Sequence, residues 1–183
     1  MDRAMLLGLA KDWAIAFVMA AVVMLAWQVF EPTPVSEGTA PSLTLASTTG
    51  DTFDLHAGSA PAYVVNFWAT WCGPCRKEIP EISAFAAAHP EIEVVGVSVD
   101  DKLTTERLGG EAKRLGITYR VVHDMSGDVA RAWGVDVFPT TFVLDAQHKV
   151  IATRVGEIDR SRLEMMIPAG GGKAQPAELF PAF

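Results

Sequence analysis

The sequence predicts an α/β domain with a largely covered sheet, joined through a short linker to one membrane-spanning helix. Three observations carry this. An uncharged apolar run occupies residues 13–30. A stretch rich in Pro, Ser, Thr and Gly follows it. Beyond that stretch, apolar runs of strand length alternate with segments of helical periodicity, the pattern of a sheet buried under helices.

The first element reads WAIAFVMAAVVMLAWQVF from Trp13 to Phe30. At about 1.5 Å per residue it covers about 27 Å, near the hydrocarbon thickness of a bilayer. Trp13 and Trp27 sit near its ends, as interfacial aromatics do. A cleaved signal peptide has a shorter apolar core and a small-residue cleavage site. Here the best such site, near Thr39-Ala40, is followed by Pro41. The run therefore reads as an uncleaved anchor. Arg3 and Lys11 precede it, and no Lys or Arg lies between Lys11 and Arg76. The positive-inside rule puts residues 1–12 in the cytoplasm. The rest is expected outside, making this a single-pass protein of the bacterial inner membrane with a periplasmic domain. Residues 31–42 read as a flexible tether, able to span roughly 40 Å when extended.

Residues 43–167 carry the domain. Short strands around Leu43–Leu45 and Thr52–Leu55 flank a Gly50-Asp51 turn, which predicts a hairpin. Ala62–Trp68 is a continuous apolar run, expected to be a central strand buried on both faces. Pro74–Ala88 follows as a helix, with Ile79, Ile82, Phe85 and Ala86 on one face and Pro90 just beyond its end. Glu93–Val99 is the next strand, Thr104–Leu115 a helix, and Tyr119–His123 a strand. Gly127–Trp133 is a short helix. Thr140–Leu144 and Val150–Val155 are strands joined by a tight turn. Asp159–Ile167 is the last helix, capped by Asp159 or Ser161. Residues 168–183, rich in Gly and Pro, are expected to form a flexible tail.

Composition narrows the function. Half of the 183 residues are apolar, ample for one core. The net charge is −7 and no basic stretch exists, so no nucleic-acid partner is expected. The two cysteines form one C-x-x-C pair. That pair closes too short a loop for a useful structural bridge. It also supplies only half of a zinc site. A redox pair is the reading left.

The motif reads Thr70-Trp71-Cys72-Gly73-Pro74-Cys75, between a buried strand and a helix. Cys72 falls at the helix N-terminus, where unpaired N–H groups and the dipole favour a thiolate. Cys75 lies one turn further in and is expected to be more buried. Cys72 then attacks a substrate disulfide, and Cys75 resolves the mixed disulfide. Pro74 suits the first helical turn. Gly73 lets a partner backbone approach.

The sequence FWATWCGPC resembles the active-site sequence of thioredoxins. The wider chain, from Pro41 to Ile167, resembles the TlpA/ResA-type branch. The anchor, the hairpin before AYVVNFW and the extra strand and helix between Glu93 and Asp124 favour that branch. The resemblance implies a thioredoxin fold with an N-terminal hairpin and a central strand-helix insertion. It implies a thiol:disulfide oxidoreductase whose redox group is its own disulfide, with no other cofactor. Its substrates would be disulfide-bearing extracytoplasmic proteins, in cytochrome c maturation or thiol repair. Its electrons would come from a transmembrane thiol carrier of the DsbD/CcdA type.

The same resemblance assigns further residues. Phe138-Pro139-Thr140 matches the second signature, a cis-proline facing the dithiol. Phe138 and Pro139 are thereby assigned to substrate binding, with Trp71, Gly73 and Pro74. Phe138 is bulkier than the family residue. Glu78 stands three residues after Cys75, on the same helix face. Relatives carry a Glu there that tunes the cysteines. Asn66 replaces the buried Asp of thioredoxins and cannot titrate. Trp68 is expected in the core, and Trp71 beside Cys72.

Two alternatives stay open at this stage. One is a periplasmic dithiol oxidant, although the chain has no room for a DsbA-like helical insertion. The other is a copper-binding chaperone using Cys72 and Cys75, with His123 as a third ligand. The four histidines otherwise read as surface or loop residues.

Overall fold

The computed structural model describes residues 13, 15–24 and 38–167. The chain divides into two compact units, Met1–Thr33 and Pro34–Phe183. In the first, residues 13 and 15–24 are helical. Large apolar side chains there, among them Trp13, Phe17 and Met24, are exposed. Among the described residues no helix is long and apolar enough to cross a membrane. The expected 13–30 span lies partly outside them, as does the linker. Residues 1–12 and 168–183 lie wholly outside.

The second unit is built on a six-stranded sheet of order β1-β8-β7-β4-β5-β6. Its strands are β1 (Gly38–Thr39), β4 (Ala62–Trp68), β5 (Glu93–Ser98), β6 (Arg120–His123), β7 (Thr140–Asp145) and β8 (Lys149–Val155). Strands β2 (Thr44–Ala46) and β3 (Thr52–Asp54) form the separate antiparallel hairpin. The helices are α1 (Gly73–Ala88), α2 (Thr105–Arg114), α3 (Asp128–Ala132) and α4 (Arg160–Met166). The expected hairpin, central strand and inserted helix and strand (α2 and β6) all form.

Strand β4 is central because it is apolar on both faces, and every one of its residues is buried. It pairs parallel with β5 and antiparallel with β7. Successive side chains alternate between faces. Tyr63, Val65 and Phe67 join one core with Leu43, Leu55, Trp133 and Phe142. There the Phe67, Trp133 and Phe142 rings lie 5.1–5.8 Å apart, at tilted or edge-on angles. Val64 faces the other way, toward Ile82 and Phe85 of α1 and Leu163 of α4. Helix α1 runs on through Pro80, whose missing N–H deprives the Arg76 carbonyl of its helical donor.

Edge strand β6 is not left bare. Ser47 bridges to Val122, and the Thr48 amide donates to the Val121 carbonyl at 3.0 Å. Arg120 bonds both Asp51 and Glu93, tying the hairpin to the sheet. Edges covered in this way resist pairing with other chains.

The linker boundary needs correction. Residues 38–42, expected in the tether, belong to the domain. Gly38 and Thr39 pair with Val150 and Lys149. The Ala40 amide donates to the His148 carbonyl at 2.8 Å, and Ala40 is buried. The open edge of β8 offers unpaired backbone groups, and these residues satisfy them.

Candidate active site

The site forms where β4 ends and α1 begins. Cys72 is the N-cap of α1, and its sulfur accepts the Cys75 amide at 3.2 Å. Cys72 and Cys75 are joined as a disulfide. Cys72 keeps 6% of its surface exposed and Cys75 none. The outer sulfur is thus the one a partner can reach, in the order the sequence predicts. A methyl group added at Gly73 would meet nothing within 4 Å. The backbone at Gly73, between the two cysteines, therefore faces open space. Pro74 sits in the first helical turn.

Trp71 is 62% exposed, and its ring meets Phe138 edge-on at 6.0 Å. Trp68 is fully buried. The Phe138–Pro139 bond is cis. Phe138 packs against the cluster that contains both cysteines. The Pro139 carbonyl is taken by the Gly156 amide at 2.8 Å. Trp71 and Phe138, both assigned to substrate binding from the sequence, thus meet each other next to the cysteine cluster.

Glu78 lies on α1 one turn past Cys75 and is 2% exposed. Its Oε1 accepts Asn66 Nδ2 at 2.7 Å, and its Oε2 accepts the Ile158 amide at 3.1 Å. Asn66 also donates to Thr141 Oγ1 at 3.0 Å. Burial pushes the Glu78 carboxyl up to about 7, against the lowering effect of those two hydrogen bonds; the Glu157 charge adds a smaller push upward. Glu78 can therefore exchange a proton near neutral pH. Asn66 holds the carboxyl in place without titrating.

A second polar network was not legible in the motifs. Asp100, two residues beyond β5, is 3% exposed. Its Oδ2 accepts the Thr70 amide at 2.9 Å and Ser98 Oγ at 2.7 Å. Its Oδ1 accepts Thr70 Oγ1 at 2.6 Å. The Asp100 carbonyl accepts His123 Nε2 at 2.7 Å, while His123 Nδ1 bonds Thr105 Oγ1 at 3.0 Å. The loop before Cys72 is thereby strapped to β5 and β6. The available signal was topological: Asp100 follows an apolar strand, and strand ends meet at one edge of a parallel sheet.

His123 was expected on the surface or in a loop. It is buried, and both ring nitrogens are engaged. It is thus not free to serve as a third copper ligand. Among the described residues no group of three or more His, Cys, Asp or Glu side chains could hold a metal ion.

A central βα junction carrying a disulfide at the helix N-cap, beside a cis-proline, defines a thioredoxin-fold disulfide protein. Residues 36–167 match the Redoxin family. The ResA thiol-disulfide oxidoreductase of Geobacillus thermodenitrificans is 35% identical over 124 residues, covering 66% of this chain and 70% of that protein. The ResA of Bacillus subtilis is 31% identical over 134 residues, covering 70% and 73%. A Chlorobium tepidum structure described as a thiol:disulfide interchange protein DsbE is 28% identical. It superposes with a TM-score of 0.66 over 73% of this chain and 96% of that one. The chain belongs to the Redoxin family, in its TlpA/ResA-type thioredoxin-like branch, and is a thiol:disulfide oxidoreductase.

Proposed function

We propose that this oxidoreductase is a disulfide reductase working outside the cytoplasm, held at the bacterial inner membrane by residues 13–30. The observation that carries the chemistry is the asymmetry of the cysteine pair. Cys72 caps α1 at the open face, while Cys75 is sealed behind it. In the dithiol form, the Cys72 thiolate attacks one sulfur of a substrate disulfide and expels the other as a thiolate. Cys75 then gives its proton to Glu78, and its thiolate attacks Cys72. The substrate sulfurs leave as two thiolates, and the protein is left with the Cys72–Cys75 disulfide. Two electrons pass to the substrate in each cycle; one thiolate takes the former Cys75 proton back from Glu78 and the other takes a proton from water.

The Gly73-Pro74 dipeptide resembles that of reducing thioredoxins, which favours reduction over oxidation. Trp71, Phe138 and Pro139 hold the substrate chain against the disulfide. The substrates are disulfide-bearing extracytoplasmic proteins, apocytochrome c among them. A DsbD/CcdA-type membrane carrier restores the dithiol. The exposed apolar side chains of the helix at residues 13 and 15–24 support the anchor.

The deciding experiment is the reduction potential of the Cys72/Cys75 pair in a thiol buffer. A value near or below about −230 mV is expected for a reductant. A value near about −120 mV belongs to an oxidant and overturns the proposal.

A further inference from the structure

The loop that leads into Cys72 is gripped by a buried carboxylate. The Ala69 carbonyl accepts the Cys72 amide at 3.2 Å, so residues 69–72 close a tight turn with Thr70 inside it. Asp100 holds that turn twice. Its Oδ2 accepts the Thr70 amide at 2.9 Å, and its Oδ1 accepts Thr70 Oγ1 at 2.6 Å. Ser98 Oγ donates to Oδ2 at 2.7 Å. The Val99 amide donates to the Trp68 carbonyl at 3.1 Å, so the chain entering Asp100 runs beside the chain entering the motif. Cys72, the second residue after Thr70, is the N-cap of α1.

Three donors converge on the Asp100 carboxylate, the arrangement that suits an anion. Its surroundings supply no balancing charge. None of the ion pairs among the described residues includes Asp100. His123 of β6 turns Nε2–H to the Asp100 carbonyl and not to the carboxylate. Asp101 and Lys102 follow in the chain and are exposed, where solvent screens them. Asp124 is buried after β6, but its Oδ2 accepts the Ala130 amide of α3. Glu78 of α1 is engaged by Asn66 and the Ile158 amide. A charge kept from water acts more strongly on its neighbours than an exposed one.

We propose that Asp100 is a positioning residue for Cys72: it fixes the turn through Thr70, and its buried charge disfavours the Cys72 thiolate. The thiolate exists only in the dithiol form. Destabilising it favours the Cys72–Cys75 disulfide and makes the dithiol a stronger electron donor. Where the thiol stays protonated there is no charge for Asp100 to repel, so the effect belongs to pH values above the Cys72 pKa. The inference rests on the oxidoreductase reading and assigns part of the reducing power to a residue outside the C-x-x-C motif.

The test compares Asp100→Asn with the wild type in the full chain. Asparagine keeps the shape and removes the charge. Cys72 acidity is read from the pH dependence of iodoacetamide alkylation of the reduced chain, and the dithiol–disulfide equilibrium from glutathione buffers. Asp100→Asn is expected to raise the thiolate fraction below the Cys72 pKa about tenfold. Above that pKa it should move the equilibrium about tenfold toward the dithiol, or about 30 mV. Asp101→Asn removes the same charge from the exposed neighbour and should change both by less than about twofold. A folded Asp100→Asn chain with wild-type acidity and equilibrium, or an equal response in Asp101→Asn, overturns the proposal. Thr70→Val keeps the charge and removes one of its donors, so Cys72 should be no more acidic than in the wild type. A more acidic Cys72 in that variant overturns the proposal even where Asp100→Asn fails to fold. The wild-type potential decides the reductase reading, whereas the differences between variants decide the role of Asp100.

Discussion

Burial and hydrogen bonding pull Glu78 in opposite directions, and burial wins. Its carboxyl rises from an ordinary 4.5 to about 7. Between these values the folded chain holds a proton that the unfolded chain releases. Stability contributed by Glu78 is therefore complete below about 4.5 and is lost as pH rises through about 7. The whole loss is on the order of 3 kcal/mol. Urea unfolding at pH 5 and pH 8 should show this decline, and Glu78→Gln should flatten it. The pH profile of exchange should lose its inflection near 7 in the same variant. A wild-type protein as stable at pH 8 as at pH 5 would refute the buried carboxyl. The cysteines differ in their expected variants. Cys75→Ala should accumulate mixed disulfides with partners, seen on non-reducing gels, whereas Cys72→Ala should abolish exchange. Equal activity of the two would reverse the assigned roles. Cys72, Cys75 and Glu78 were legible because one helix sets their spacing. Asp100, Thr141 and His123 were not, because their partners stand 18 to 75 residues away in sequence.

At the scale of elements, the strands and helices followed from periodicity and from their caps. β4 reads as one unbroken apolar run because both of its faces are covered. Asp159 caps α4 by accepting the Arg162 amide at 2.7 Å, one of the two caps the sequence offered. What periodicity could not tell is how closely neighbouring elements approach. Gly96 on β5 lies under two rings. A Cβ there would stand 3.0 Å from both Trp68 Nε1 and Tyr119 Cε2. Gly110 on α2 would carry a Cβ into open space. The two glycines therefore respond oppositely to the same substitution. Gly96→Ala should cost roughly 1–3 kcal/mol by overpacking. Gly110→Ala should add roughly 0.5–1 kcal/mol, since alanine favours the helix and restricts the unfolded chain. Thermal or urea unfolding of both variants checks the pair. A stabilised Gly96→Ala would mean that the two rings have room to move apart.

At the scale of the molecule, composition marks where the apolar run gives way to the tether, but not where the domain starts. Gly38 and Thr39 have no strand pattern of their own. They become a strand because β8, more than a hundred residues later, has a free edge. Such a boundary is invisible to any local window, since the partner supplies the reason for the structure. It has a measurable consequence. A soluble domain begun at residue 43 loses the β1–β8 pairing, the Ala40–His148 backbone bond and the burial of Ala40. A domain begun at residue 38 keeps all three. Each backbone hydrogen bond contributes about 1 kcal/mol net. In a domain of this size 1 kcal/mol moves the midpoint by about 3–5 °C. The longer domain should therefore melt about 5 °C or more above the shorter one, with the same far-UV signal per residue. Its sheet edge is also covered, so it should stay monomeric at concentrations where the shorter one pairs through β8. Equal melting temperatures would show that β1 adds nothing to the fold and would return residues 38–42 to the tether.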